Sequence, residues 1–127
     1  MLFCLKKLCV VGNRLLNSIS FKFSKDYSKL YENLVFIELN RRYSILFYYI
    51  TKNNFEVDFL VFEKNKESKL IQVCYDVSNK NTLERETRAL LEASKELKCK
   101  NLYILTKDVD KEEKGIRYIL VWKWLLE

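Results

Sequence analysis

The sequence predicts an α/β protein in which a mixed β-sheet is flanked by helices. Apolar residues recur at helical spacing in two segments, and short apolar runs rich in aromatic and β-branched residues lie between and after these segments. The chain has no proline and only two glycines, which favours regular elements with few tight turns. Its 127 residues, 49% hydrophobic and 31% charged, are enough for one folded domain with its own core.

A first helix is predicted from about Asp26 to Arg42. Ser24 or Asp26 could cap it, because a side-chain oxygen at that position accepts a hydrogen bond from a free backbone N–H of the first turn. Residues 34–36 and Leu39 recur at the spacing of one helical face, so we expect this face to pack on the sheet.

Three strands are predicted next, over residues 44–51, 55–62 and 69–75. Each is rich in Ile, Val, Leu, Phe or Tyr, and the polar segments 52–54 and 63–68 between them read as turns. Such short connections favour an antiparallel meander.

A second helix is predicted to begin after Asn81, with Glu84 as the reciprocal partner of a capping box, and to end near Lys98. The compact apolar run Asn101–Thr106 then reads as a strand. A crossover of this length predicts that this strand pairs in parallel with strand 69–75.

The charged segment 107–114 is predicted to be a loop, residues 116–121 a last strand, and residues 122–126 a closing helix whose two indoles cover one edge of the core. The predicted order is therefore helix, three strands, helix, strand, strand. This αβββαβ arrangement is the core of the restriction-endonuclease-like fold.

The formal net charge of +6 is compatible with a polyanionic partner such as DNA, and also with a lysine-rich solvated surface. The chain has no histidine, which excludes histidine-based catalysis and histidine metal ligands. The cysteines Cys4, Cys9, Cys74 and Cys99 form no CxxC pair, so structural zinc is not expected. We expect reduced thiols in a cytoplasmic protein.

The N-terminal segment 1–11 is apolar but contains two lysines. It is too short to cross a bilayer, and it lacks the charged start and cleavage site of a signal peptide. We expect a strand or helix added to the core, and no membrane partner.

The candidate site combines Asp58 on the second strand with Gln72 and Cys74 on the third. Residues i and i+2 of a strand share a face, so Gln72 and Cys74 point the same way and Asp58 can meet them. Metal-dependent nucleases of the PD-(D/E)XK type build their site in this way, with Glu and Lys at the last two positions. Glu32 could approach from the first helix and Glu56 from position i−2, which makes Asp58, Glu32 and Glu56 the candidate metal ligands.

Structural roles for the same residues stay open. Asp58 could pair with Arg85 or Arg88 on the second helix, and Glu32 with a nearby basic residue. Cys74 is more typical of a packed apolar thiol than of a nucleophile, because no histidine can activate it. If the domain binds nucleic acid, Arg85 and Arg88 are the candidate contacts.

Four segments, residues 31–39, 51–59, 70–76 and 120–126, look like the C-terminal domain of a family of archaeal and bacterial AAA-type ATPases. That domain is PD-(D/E)XK nuclease-like and has no known function. The resemblance covers residues 15–127 as a single domain, and residues 1–14 match poorly. The chain contains no GxxxxGK[ST] phosphate-binding loop, so neither ATP binding nor ATP hydrolysis is expected.

The resemblance implies that Glu32, Asp58, Gln72 and Cys74 occupy the nuclease motif positions. Gln and Cys in place of Glu and Lys imply a non-catalytic module that binds DNA or another protein and needs no cofactor. One alternative is an active Mg²⁺- or Mn²⁺-dependent nuclease with an altered site. Another is a non-functional remnant of a truncated ATPase gene.

Overall fold

The structure, a computed structural model, describes residues 2–4, 28–62 and 68–127. In chain order the elements are β1 (Leu2–Cys4), α1 (Ser28–Arg42), β2 (Leu46–Ile50), β3 (Glu56–Phe62), β4 (Ser68–Val73), α2 (Lys80–Leu97), β5 (Asn101–Thr106), β6 (Lys111–Glu113), β7 (Ile116–Leu120) and α3 (Val121–Leu125). Within these ranges the strands form one seven-stranded sheet in the order β1-β2-β3-β4-β5-β7-β6. The proposed caps of α1, Ser24 and Asp26, and most of segment 1–14 lie outside the described residues.

The strand pairings confirm the predicted mixed sheet. Strands β2, β3 and β4 form an antiparallel meander, and β5 pairs in parallel with β4 after the crossover through α2. Strand β7 continues the parallel part beside β5. At the other side β1 adds an antiparallel edge strand to β2, as expected for part of the N-terminal segment.

The prediction of a loop over residues 107–114 is wrong in part, because Lys111–Glu113 forms the edge strand β6. Lys114 and Gly115 both have positive φ angles, 55° and 79°, and turn the chain back so that β6 pairs with β7. Every residue of β6 is exposed. Its charged composition is that of an edge strand, which composition alone does not separate from a loop.

The helices lie on both faces of the sheet, which gives two cores. On the α2 side the buried residues are Tyr49, Val57, Leu60, Leu70, Cys74, Ala89, Leu90, Ala93, Cys99, Leu102, Ile104, Ile116 and Tyr118. On the side of α1 and α3 they are Val35, Leu39, Leu46, Phe59, Val61, Ile71, Val73, Leu105, Ile119, Val121 and Trp124. No helix in the described ranges has the length and apolar composition needed to cross a bilayer.

The short helix α3 closes the second core. Trp124 is buried, whereas Trp122 is 58% exposed, so only one of the two indoles covers the core as predicted. The guanidinium of Arg42, at the end of α1, lies 4.6 Å from the Trp124 ring centroid and donates a hydrogen bond to the Trp124 carbonyl. These contacts fix the end of the chain against α1.

The cap of α2 differs from the prediction. Asn79, not Asn81, has the extended backbone of an N-cap (φ −78°, ψ 100°), and its side-chain oxygen accepts a hydrogen bond from the Thr82 N–H at 3.2 Å. Asn81 is exposed and already inside the helix. The two asparagines stand two residues apart before the same apolar pattern, so the sequence alone does not choose between them.

We therefore expect Asn79→Ala to destabilise the domain by about 1 kcal/mol, because the capped N–H loses its partner. Asn81→Ala is the matched control and should change stability little. Urea unfolding followed by circular dichroism measures both. An equal loss in the two variants would contradict the assignment of Asn79 as the cap.

A β-bulge in β3 positions the candidate site. Phe47 pairs with Leu60 and Tyr49 pairs with Val57, so two residues of β3, Asp58 and Phe59, stand opposite one residue of β2. On the other side of β3, the pairing with β4 stops at Phe59 and Ile71. Beyond that point the two central strands separate.

Candidate functional site

Two side chains bridge the gap where β3 and β4 separate. The Asp58 carboxylate oxygen Oδ2 accepts a hydrogen bond from the Val73 N–H at 2.9 Å. The Gln72 amide oxygen Oε1 accepts one from the Asp58 N–H at 2.6 Å. The sequence-based prediction that these two residues meet across adjacent strands is confirmed, but each contacts the backbone of the opposite strand rather than the other side chain.

The second half of the Gln72 amide is also engaged. Its Nε2 donates to the Glu56 carbonyl at 2.9 Å and lies 3.4 Å from the Glu86 carbonyl on α2. Gln72 is fully buried. Because both a donor and an acceptor are required here, the amide satisfies backbone groups that a glutamate carboxylate could satisfy only in part. Gln72 therefore links β3, β4 and α2 through one side chain.

Four carboxylates from three elements surround this junction. Burial raises the pKa of Glu32 on α1, and the neighbouring Glu56 raises it further. Burial and the nearby Glu32 and Glu86 raise the pKa of Asp58 well above its ordinary value. Burial also raises the pKa of Glu86 to about 7, although Arg85 opposes this effect. Glu86 is thus partly protonated near neutral pH.

Three of these carboxylates border a cleft of about 320 Å³, which is lined by Asn54, Phe55, Glu56, Asp58, Arg85 and Glu86. Asp58 and Glu56 were both predicted to be at the site, and the structure places both on the cleft wall. Nothing in the described ranges brings three or more carboxylate or thiol side chains into an arrangement that could hold one metal ion. The predicted set Asp58, Glu32 and Glu56 is therefore not such a group as placed, and metal binding by these residues stays a prediction.

Cys74 is buried on the α2 side of the sheet. Burial and the nearby Glu86 raise the pKa of its thiol to about 11, so it is protonated at neutral pH. Its Sγ lies 3.7 Å from the Asp76 carbonyl. The thiol is thus a small packed group, and it cannot take the part of the positively charged lysine of a working nuclease site.

Neither arginine of α2 forms an ion pair with Asp58 in the described part of the chain. The Arg85 guanidinium lies 3.8 Å from the Glu86 carboxylate and is 67% exposed at the mouth of the cleft. The Arg88 guanidinium stands 5.6 Å from the Phe55 ring. The alternative in which Asp58 pairs with Arg85 or Arg88 is therefore wrong, because the Val73 N–H takes that place.

Glu86 is the site residue that the sequence reasoning missed. It lies three residues after Leu83 and four before Leu90, the spacing of the inward face of α2. A carboxylate at an inward position was the available signal. The same spacing did single out Glu32 on α1, and the structure confirms that Glu32 is near Asp58.

The structure is thus an α/β domain with an acidic cleft where the central strands β3 and β4 separate. A family profile described as "Domain of unknown function (DUF4143)" matches residues 27–124, and the chain belongs to this family. It is 42% identical over 122 residues to "Uncharacterized protein MJ1544" of Methanocaldococcus jannaschii. That alignment covers 86% of this chain but only 27% of the relative, so the chain spans about a quarter of that protein. No solved structure matches.

Proposed function

We propose that this chain is a non-catalytic domain of the PD-(D/E)XK nuclease-like class, which acts by binding DNA or another protein. The observation that carries the proposal is the use of Asp58 and Gln72: both side chains are engaged in hydrogen bonds that hold the separated strands together. The Gln72 amide has both its oxygen and its nitrogen engaged with the backbone, and the Val73 N–H holds one carboxylate oxygen of Asp58, which limits what these two side chains can offer to a metal ion or a water molecule.

The fold supports the class. The order helix, three antiparallel strands, crossover helix, parallel strand is the αβββαβ order expected of a restriction-endonuclease-like core. The candidate residues also lie where two central strands separate, at the end of the sheet where β4 and β5 finish.

Charge argues against hydrolysis in the cleft. Phosphodiester cleavage needs positive charge near the phosphate, from a metal ion or a lysine. Here the cleft contains Glu56, Asp58 and Glu86, and the position of the expected lysine is the neutral thiol of Cys74. A phosphate entering the cleft would meet carboxylates with only Arg85 to balance them.

The test is cleavage of duplex, branched and single-stranded DNA in Mn²⁺ by the wild-type protein, Asp58→Asn and Asp58→Ala. We expect no cleavage above background from any of them. The asparagine keeps an acceptor for the Val73 N–H, so it separates loss of chemistry from loss of fold. Cleavage by the wild type that disappears in Asp58→Asn would refute the proposal.

The convergence of Glu32, Glu56, Asp58 and Glu86 favours a second candidate, a metal-dependent nuclease with an altered site. In that case millimolar Mn²⁺ should raise the melting temperature of the wild type and not of Asp58→Asn, since a ligand that binds only the folded state stabilises it.

A further inference from the structure

A second charged region lies on the opposite end of the sheet from the acidic cleft. The parallel strands β4, β5 and β7 begin at the same end of the sheet, and cationic residues lie at or just before the first residue of each strand. These residues are Lys69, Lys98, Lys100, Lys114 and Arg117. All but Lys69 are exposed, and Lys69 is half-buried.

An aromatic side chain lies within this basic end of the sheet. Tyr103 of β5 is directly paired with Arg117 of β7, so their side chains stand next to each other on one face of the sheet. The Lys69 ammonium is 5.8 Å from the Tyr103 ring centroid on the same face. Tyr103 is only partly buried, at the border of the core on the side of α1 and α3, against which it packs. The Tyr103 ring is therefore partly exposed and lies between the cationic side chains of Lys69 and Arg117.

Among the described residues, the two carboxylates of β6 do not pair with Arg117. Glu113 is engaged with Lys111 at 3.1 Å. Glu112 stands opposite Arg117 in the register of β6 and β7, but these two side chains form no ion pair within 4 Å. Arg117 therefore keeps its charge available on the surface.

We propose that the surface formed by Lys69, Tyr103 and Arg117, with Lys100 beside it, binds single-stranded nucleic acid. This inference rests on the proposed function, in that it names the partner of a non-catalytic domain and the surface that receives it. Arg117 and Lys100 contact phosphates, and Tyr103 provides an aromatic face for an unpaired base. A duplex keeps its bases stacked inside and offers none to Tyr103, so a single strand is favoured.

The position of this surface is a departure from the sequence-based expectation. Arg85 and Arg88 were predicted as the nucleic-acid contacts, but Arg85 shares its cleft with Glu56, Asp58 and Glu86. Those carboxylates repel phosphates. Nucleic acid is thus expected at the basic end of the sheet, away from the cleft.

The experiment is fluorescence anisotropy of a labelled oligothymidylate with the full chain, at salt concentrations from about 50 to 200 mM. We expect Tyr103→Leu to weaken binding about tenfold, because base–aromatic stacking is lost while apolar bulk is kept. Arg117→Gln and Lys100→Gln should each weaken binding and lower the slope of log affinity against log salt by about 0.7. Both residues are exposed, so these two variants test the proposal even if Tyr103→Leu fails to fold.

Lys95→Gln is the matched control, since it removes one exposed cation from α2 and should leave the affinity within about twofold apart from a small long-range effect. Equal losses in Lys95→Gln and Arg117→Gln would overturn the proposal, as would the absence of oligonucleotide binding. Binding to phosphatidylserine vesicles without oligonucleotide binding would also overturn it. DNA cleavage that depends on Asp58 would refute the non-catalytic proposal instead, so the two failures are distinguishable.

Discussion

Replacing Gln72 with glutamate is expected to destabilise the domain by roughly 2–5 kcal/mol at pH 7. The carboxylate would be fully buried, would stand among Glu32, Asp58 and Glu86, and could not donate to the Glu56 carbonyl. Since a domain of this kind is stable by about 5–15 kcal/mol, the loss would be a large fraction of the total. Urea unfolding of both proteins at pH 7, followed by circular dichroism, measures the difference.

The control is Gln72→Met, which keeps the length of the side chain and adds no charge. It leaves the Asp58 N–H and the Glu56 carbonyl without their partner, so we expect a loss of about 1–3 kcal/mol that does not depend on pH. Burial should raise the pKa of the new carboxyl group, so the loss in Gln72→Glu should shrink as the pH falls from 7 toward about 4.3, the ordinary glutamate value. Wild-type stability in Gln72→Glu at pH 7 would show that the amide bridge contributes little.

The second large effect concerns Glu86 and pH. Its pKa of about 7 in the folded protein lies above the ordinary value of 4.5, because burial disfavours the charged form. Between these values the folded state binds more protons than the unfolded state, so stability falls as the pH rises through this window. We expect Glu86→Gln to remove this loss and to be more stable than the wild type by of order 2–3 kcal/mol at pH 8.

At pH 4 the difference between the two proteins should be close to zero, since Glu86 is protonated in both folded and unfolded chains. The matched control is Glu84→Gln, an exposed glutamate of the same helix, whose stability should follow the wild type at both pH values. Denaturant unfolding at pH 4 and pH 8 measures the free energy of unfolding of the three proteins. Equal stability of Glu86→Gln and wild type at pH 8 would contradict the burial of a charged Glu86.

Most of the fold could be predicted because apolar residues recur with one clear period along each long helix or strand. The apolar run Asn101–Thr106 and the helical pattern of α2 fixed the parallel crossover, and the short polar turns fixed the meander. The failures were local. Strand β6 has the composition of a loop, and the choice between Asn79 and Asn81 as a cap depends on backbone angles that no spacing rule contains.

Most residues of the site could be predicted, with the exception of Glu86, but their hydrogen-bond partners could not. Strand alternation placed Asp58 near Gln72, and helical spacing placed Glu32 on the buried side. The bulge at Asp58 and Phe59 depends on the pairing of β2 with β3, which is a property of two strands together. Consequently the sequence did not reveal that Asp58 and Gln72 would bind backbone groups, and the structural role of the amide followed only from the geometry.

The edge strand β6 has a consequence for how partners can attach. Many proteins recruit an extended peptide by adding it as a further strand, which requires a free edge with several unpaired backbone groups. At this edge the chain offers three residues, Lys111–Glu113, all charged and exposed. Such a short charged edge discourages both peptide addition and edge-to-edge aggregation. A protein partner would therefore meet this side of the domain through side chains rather than through a shared backbone ladder.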